Sequence, residues 1–406
     1  MKKKEIAVVY ITDQNYALPT CVSAVSVIVN KSVDEKIRIY IICYQVSADD
    51  IKRFQDLANE DVEIIIIEKN EEEHIRLGQN SDLDRVSSIA LYKFGLARML
   101  DLEDKVLYLD GDVIVQGSLY SLFNTDISEC YLAAVNDIVN ESINMGCERR
   151  IHLKSQEYFN SGVMLLNLMK MREDDIEEHL IDYKLNGINH FMDQDALNYV
   201  LEDKRLKLSF HSNFLSTIFD FLTIEDIYQR YPINSESSYA VEEYLSNILI
   251  VHLTGNLKPW EYELPWFTKI FKDYYKVSPY KDCTLVLKSP IKKMGYDQQQ
   301  LLPELLIPYE KIAPGEKIVL YGAGITGRKC KAQLEGLGFG KVVLWVDKMA
   351  DKLDENISRI EEIVNIDYDY VLIAIKSLKA IEQARRSLVQ ECGIENNKII
   401  DIYGRI

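Results

Sequence analysis

The stretch YLDGDVIV, residues 108–115, closes one apolar run and opens another around Asp110, Gly111 and Asp112. Asp110 and Asp112 stand two positions apart, so on an extended chain they share a face. Two carboxylates about 4–6 Å apart repel, which costs stability unless a cation lies between them. Hard oxygen ligands suit Mg2+ or Mn2+ better than zinc. A metal that carries a diphosphate needs only two or three protein ligands, because phosphate oxygens complete its octahedron. Taken alone, the tripeptide also fits a turn with two solvated acids.

Outward from this stretch, strand and helix patterns alternate. IAVVYI (6–11), KIRIYIIC (37–44), VEIIIIE (62–68) and the run at 105–109 read as strands. Between them, TDQNYALPTCVSAVSVIV offers Asp13 or Asn15 as a helix cap, a second helix lies near 47–58, and a third carries Leu91, Phe94, Leu96, Met99 and Leu100. Further strands fall near 132–136 and 160–167. The βαβαβ order predicts a parallel sheet covered on both faces. Ligands of such sheets bind beyond the carboxyl ends of the strands, where TDQNY and DGD both lie. Residues 168–250 read mainly as helix and loop, and 265–280 as a surface helix. The acidic run EKNEEEH (68–74) reads as a solvated loop or helix start.

Residues 276–314, rich in proline towards their end, read as a connection. From 315 to 406 a second α/β pattern follows: a strand, Gly322-x-Gly324-x-x-Gly327, a helix, a strand ending in Asp347, and further strands at 368–375 and 397–402 around a helix at 377–391. The glycine spacing and Asp347 satisfy the dinucleotide fingerprint, which taken literally predicts NAD. Yet about 90 residues give only one mononucleotide-sized half. The glycines serve equally to let a helix pack on its strand.

A chain of 406 residues with 47% hydrophobic residues is long and apolar enough for two to three domains with sizeable cores. A net charge of −17 argues against nucleic acid and anionic membrane surfaces as main partners. It leaves room for a nucleotide held locally through a metal. Seven scattered cysteines with no CxxC match a reducing compartment. The apolar run after the N-terminal lysines is too short for a signal peptide, and no stretch reaches the about 18–20 apolar residues of a transmembrane helix. These features predict a cytoplasmic protein.

Three more segments carry chemistry. FNSGVMLLN (159–167) places Asn160, Ser161 and Gly162 just before a buried run. MDQDALN (192–198) puts Asp193, Gln194 and Asp195 at a helix start, more carboxylate than capping requires. VHLTGNLKPW ends a strand at His252, with Gly255 and Lys258 after it. His252 can be a satisfied core histidine; beside the two acids it can also supply a nitrogen ligand, which favours Mn2+ over Mg2+. Lys258 can neutralise a phosphate.

The order of six pieces, TDQNYALPTCVSAVSVI, SSIALYKFGLARML, KVLYLDGDVIV, YFNSGVMLLNL, MDQDALN and HLTGNLKPW, resembles glycosyltransferase family 8. That family includes bacterial lipopolysaccharide galactosyl- and glucosyltransferases and glycogenin. The resemblance covers residues 1–275 and implies a GT-A type, Rossmann-like mixed α/β sheet. It implies retaining transfer of glucose or galactose from a UDP-sugar to a glycan, glycolipid or glycoprotein acceptor, as in cell-surface polysaccharide or adhesin glycosylation. Mn2+ would be the cofactor, with Mg2+ as the substitute, held by Asp110, Asp112 and His252. Ile11, Asp13, Asn15 and Tyr16 would line the uracil and ribose pocket, with Lys93 and Gly111 also at the nucleotide-sugar site. Gly255 and Lys258 would grip the diphosphate. Asp193 would hold sugar hydroxyls, Asn160 and Gly162 would shape the sugar pocket, and Gln194 would face the anomeric carbon. Asp137 falls where the family places its acceptor; a solvated loop carboxylate is the other reading.

An amide oxygen is barely basic, so Gln194 is a poor nucleophile. A front-side route is expected, in which a UDP oxygen takes the acceptor's proton. Asp195 is the candidate nucleophile, unless it merely caps its helix. Two features depart from the family. Lys93 replaces a common arginine, keeping charge but losing the bidentate fork. A second domain also stands in place of a basic aromatic tail, so direct membrane docking is not expected. That domain resembles Rossmann-like additions on bacterial polysaccharide and glycoprotein enzymes, which implies assembly, as a homo-oligomer or glycosylation complex, or acceptor handling. The reading from another class is a catalytically inactive nucleotide-sugar-binding scaffold. A nicotinamide oxidoreductase would leave the first 275 residues unexplained.

Overall fold

The β-branched runs become strands wherever both faces can be covered. The computed structural model describes residues 3–404 except 70–87, 143–144, 189–190, 192, 223, 234–240, 256, 265, 289–305, 309–310, 313–314, 337–339 and 351–356. The acidic run at 68–74 starts at the end of a strand and otherwise lies outside the described residues, as does much of the connection at 276–314. The chain divides into one unit of Met1–Ser216 with Ile233–Pro290 and another of Thr217–Pro232 with Ile291–Ile406.

In the first unit, β1 (Lys4–Asp13), β2 (Glu35–Tyr44), β3 (Val62–Lys69) and β4 (Lys105–Leu109) pair in parallel. Helices Ala17–Val29 and Ala48–Gln55 make the crossovers. The DGD turn then passes the chain into β5 (Val113–Val115). Among the described residues, β6 (Leu132–Asn136), β7 (Phe159–Asn167) and β8 (Arg205–Lys207) complete a seven-stranded sheet in the order β3-β2-β1-β4-β7-β6-β8. β7 runs antiparallel to both neighbours. The sheet is thus mixed, as the resemblance implies, and the strands β1 to β4 that the alternation of elements marks out are its parallel part. A nine-residue buried run states that a strand exists and not which way it points.

The reversal sets the site. Because β7 enters where β4 ends, Leu109 pairs with Val163 and the Asp110 N–H donates to the Gly162 carbonyl at 2.7 Å. A second sheet, in the order β5-β10-β9, joins β5 to β9 (Phe214–Leu215) and β10 (Ile250–His252). Its register sets His252 opposite Val113 on one side and Leu215 on the other. The segment with Leu91 and Phe94 is a 3₁₀ run, Ser88–Gly95, and only Leu96–Met99 continues as α-helix. Val9, Leu91, Phe94, Val106, Met164 and Leu197 meet in the core beneath the site.

In the other unit, β11 (Glu316–Tyr321), β12 (Gly340–Val346), β13 (Tyr370–Ile373) and β14 (Ile399–Asp401) form a parallel sheet in the order β12-β11-β13-β14. Helices Ile325–Gly336 and Leu378–Gln390 accompany it.

Candidate active site

Asp110 and Asp112 flank the turn after β4, and His252 closes β10. One ligand atom from each of the three lies within 4.8 Å of the others. His252 Nε2 sits 3.2 Å from Asp112 Oδ1 and 3.8 Å from Asp110 Oδ2. The donor set of two hard carboxylates and one imidazole fits Mn2+, and Mg2+ less well. Gly162 makes the cradle. A Cβ there would stand 2.2 Å from His252 Cε1 and 2.7 Å from Asp110 Oδ2, filling the space where those side chains converge. Gly111 is constrained from the other side, since its Cβ would meet Thr20 Oγ1 at 2.2 Å.

Two lysines offset the acids. Lys258 Nζ donates to Asp112 Oδ2 at 2.6 Å and to the Leu253 carbonyl at 2.7 Å. Burial would push the Asp112 carboxyl up, but Lys258 and His252 outweigh it and hold that carboxyl far below the usual range. Lys93, only 3% exposed, reaches Asp193 Oδ2 at 2.7 Å, Asp110 Oδ1 at 3.3 Å and the Ser161 carbonyl at 3.2 Å. Burial alone would lower its ammonium; Asp110 and Asp193 raise it above its ordinary value. Lys93 therefore braces two acids of the site. Tyr108 donates to Asp110 Oδ1 at 2.6 Å and lies under the Lys93 ammonium.

Asp193 occupies the N-cap position of helix Gln194–Val200, yet its side chain makes no cap. It accepts instead from Lys93 and from Ser161 Oγ at 2.8 Å. Gln194 Oε1 accepts from the Ser161 N–H at 2.9 Å and from Asn160 Nδ2 at 3.2 Å, and its Nε2 donates to Asp137 Oδ2 at 3.4 Å. Asp137 also accepts from the N–H groups of Val139 and Asn140, and burial pushes its carboxyl above the usual value. It is a bonded, half-buried group and not a freely solvated loop acid. Asp195 is 1% exposed and accepts from Tyr158 Oη at 2.6 Å and the Phe191 N–H at 2.8 Å. Both partners lie beside the start of helix Gln194–Val200.

Of the residues expected at the uracil and ribose pocket, Ile11 is buried near the end of β1 and Asn15 is exposed in the turn after it. Asp13 Oδ1 accepts the Tyr16 N–H at 3.0 Å. The Tyr16 ring meets Trp260 edge-on at 5.8 Å, and Lys258 lies over Trp260 at 5.7 Å. Burial, Asp112 and Asp110 raise the Tyr16 hydroxyl well above its ordinary value, which marks how close the ring stands to the acidic turn. Gly255, at φ +90°, takes the left-handed conformation in the loop after His252. Met192 and Asn256 of the quoted motifs lie outside the described residues.

Sequence reasoning missed Thr20, Tyr108, Trp260 and Asn213. Thr20 and Asn213 give no motif signal; each matters through what the fold sets beside it. Asn213 is wholly buried, with Oδ1 3.0 Å from His252 Nδ1 and Nδ2 donating to Asn160 Oδ1 at 2.9 Å.

In the second unit, Asp347 does not stand free at the strand end. Its Oδ2 accepts the Ala323 N–H at 2.7 Å and its Oδ1 the Met349 N–H at 2.8 Å. Trp345 Nε1 donates to the Gly322 carbonyl, and a Cβ on Gly327 would lie 1.8 Å from that oxygen. The glycines let the helix pack against its own loop.

Comparison with known proteins follows the same outline. The model of glycosyl transferase family 8 matches residues 7–263. A Haemophilus influenzae protein provisionally named a glycosyltransferase is 27% identical over 218 residues, which is 53% of this chain and 65% of that protein. The chain thus spans just under two thirds of that relative. The lipopolysaccharide 1,2-glucosyltransferase of Escherichia coli is 25% identical over 306 residues, 71% of this chain and 82% of its own. The galactosyltransferase LgtC, solved with donor and acceptor sugar analogs, has a TM-score of 0.56 at 24% identity, covering 68% of this chain and 96% of LgtC. That likeness shows a shared GT-A type fold.

Proposed function

This chain belongs to glycosyl transferase family 8, and on that premise we propose that it is a Mn2+-dependent, retaining hexosyltransferase acting on a UDP-sugar. The observation that carries the reading is the meeting of Asp110, Asp112 and His252 with Lys258 against Asp112. The acceptor is a glycan, glycolipid or glycoprotein. Glucose is favoured as the sugar by the similarity to a lipopolysaccharide glucosyltransferase, with galactose next.

A bound cation would supply positive charge to the diphosphate as the glycosidic bond breaks. Lys258 and the main chain at Gly255 hold that diphosphate, and Tyr16 with Trp260 flanks the base. UDP leaves as an anion, so no general acid is required. Asp193, fixed at Oδ2 by Lys93 and Ser161, offers Oδ1 to sugar hydroxyls. Gln194 Oε1 already accepts two hydrogen bonds, which lowers its small basicity further. It therefore steadies positive charge at the anomeric carbon without forming a bond. The acceptor's proton passes to a departing UDP oxygen on the same face, which retains configuration, and Asp137 helps to seat the acceptor.

The seven free cysteines fit a cytoplasmic setting. Among the described residues no helix is long and apolar enough to cross a membrane. The second unit serves assembly or acceptor handling, consistent with an Asp347 already bonded to its own loop. UDP release tests the reading, with UDP-glucose, UDP-galactose, UDP-N-acetylglucosamine and UDP-N-acetylgalactosamine, each with and without Mn2+. One donor turned over only with Mn2+, and not by Asp112→Asn, is expected. Silence with all four donors and no UDP heat in calorimetry would overturn it.

A further inference from the structure

We propose that Asn213 is a positioning residue that turns His252 Nε2 into the metal pocket and joins that pocket to the sugar side through a one-way chain of amides. The chain runs His252–Asn213–Asn160–Gln194–Asp137, with successive separations of 3.0, 2.9, 3.2 and 3.4 Å. The roles at its two ends rest on the function proposed above.

Two backbone groups set its direction. The Gly162 N–H donates to Asn160 at 3.0 Å, so the Asn160 atom there is the oxygen. Asn213 faces that same oxygen and must present its NH2 group. Its own oxygen is left for His252 Nδ1, which must then carry a hydrogen. At the other end, the Ser161 N–H donates to Gln194, which identifies Gln194 Oε1 as the atom facing the Asn160 NH2. The Gln194 NH2 then points to the carboxylate of Asp137, an acceptor when ionised. Every link therefore donates in one direction, from His252 towards Asp137. Ring rotation is blocked as well, because Gly162 lies against one side of the imidazole while Asn213, 0% exposed, is bonded to Nδ1. Outer partners of this kind fix the tautomer of a ligating histidine.

Two substitutions separate the ends of the chain. Asn213→Leu removes acceptor and donor together. Asn213→Asp keeps an acceptor for Nδ1–H and loses the donor to Asn160. Mn2+ binding is read by electron paramagnetic resonance of the free ion, UDP release by a coupled assay, and folding by thermal melts. The leucine variant should raise the Mn2+ Kd about 10–100-fold. The aspartate variant should keep the wild-type Mn2+ Kd yet release UDP about 10–100-fold more slowly, the range that loss of an outer hydrogen-bond partner produces. Wild-type Mn2+ affinity in the leucine variant would overturn the proposal. So would equal losses of affinity and rate in both variants, in step with their melting temperatures. A wild-type protein that binds no Mn2+ would refute the proposed function instead. Metal-free crystal structures then still decide this proposal: His252 and Asn160 should shift in the leucine variant, and unmoved side chains would refute it.

Discussion

Replacing Gly162 with alanine changes one atom at the point where Asp110 and His252 converge. The added Cβ would lie 2.2 Å from His252 Cε1, 2.8 Å from Nδ1 and 2.7 Å from Asp110 Oδ2, where ordinary contact begins at 3.4 Å. The ring must therefore retreat by about 1.2 Å and the carboxylate by about 0.7 Å, whereas metal–ligand distances tolerate only ~0.2 Å. Overpacking of this kind costs about 1–3 kcal/mol of stability, so the fold should persist. The Mn2+ Kd should rise at least ~100-fold, equivalent to about 2.8 kcal/mol. Titration against the resonance signal of free Mn2+, beside a circular-dichroism melt, reads both quantities. A Kd within about threefold of wild type in a normally melting variant would refute the reasoning, because it would mean that the cation does not sit where these two ligands meet.

Lys93→Met leaves Asp193 and Asp110 without the cation they share, and breaking such a buried pair costs about 3–5 kcal/mol. At about 2–4 °C per kcal/mol the melting temperature should fall by roughly 6–20 °C, and an unchanged melt would show that other groups neutralise the two acids. Gly111→Ala should weaken Mn2+ binding by pressing the DGD turn against Thr20 Oγ1, and adding Thr20→Ala should restore most of it. No recovery in the double variant would rule Thr20 out as the obstacle. Loss of the Thr20–Thr12 hydrogen bond should itself cost only about 1 kcal/mol.

Sequence pattern reached the four parallel strands because β-branched runs alternating with helical stripes report burial directly. It singled out the two acids as a pair, although they meet across the turn between β4 and β5 and not on one face of a strand. It did not reach the direction of β7, since the buried run Phe159–Asn167 reads alike both ways. His252 could be offered as a ligand by its residue type and by the resemblance, but not placed; the physical link is the β5–β10 register, and pairing across so long a separation leaves no local trace. Asn213 was invisible for the same reason, its place beside His252 depending on β9 lying next to β10. Asp347 shows the converse case. Its spacing from the glycines matches a ribose-binding acid, but backbone amides of Ala323 and Met349 are nearer claimants.

The excursion at Thr217–Pro232 has a consequence for modularity. It lies in mid-chain but groups with the C-terminal unit; within it Ile218 and Ile227 are fully buried, and Lys329 lies over the Phe221 ring. The two units are thus interleaved along the gene rather than laid end to end. A stop codon after Pro290 would delete most of one unit while leaving a fragment of it, apolar side chains included, in the other. Recombination that exchanges C-terminal units between relatives would succeed only if two separate stretches of coding sequence travelled together.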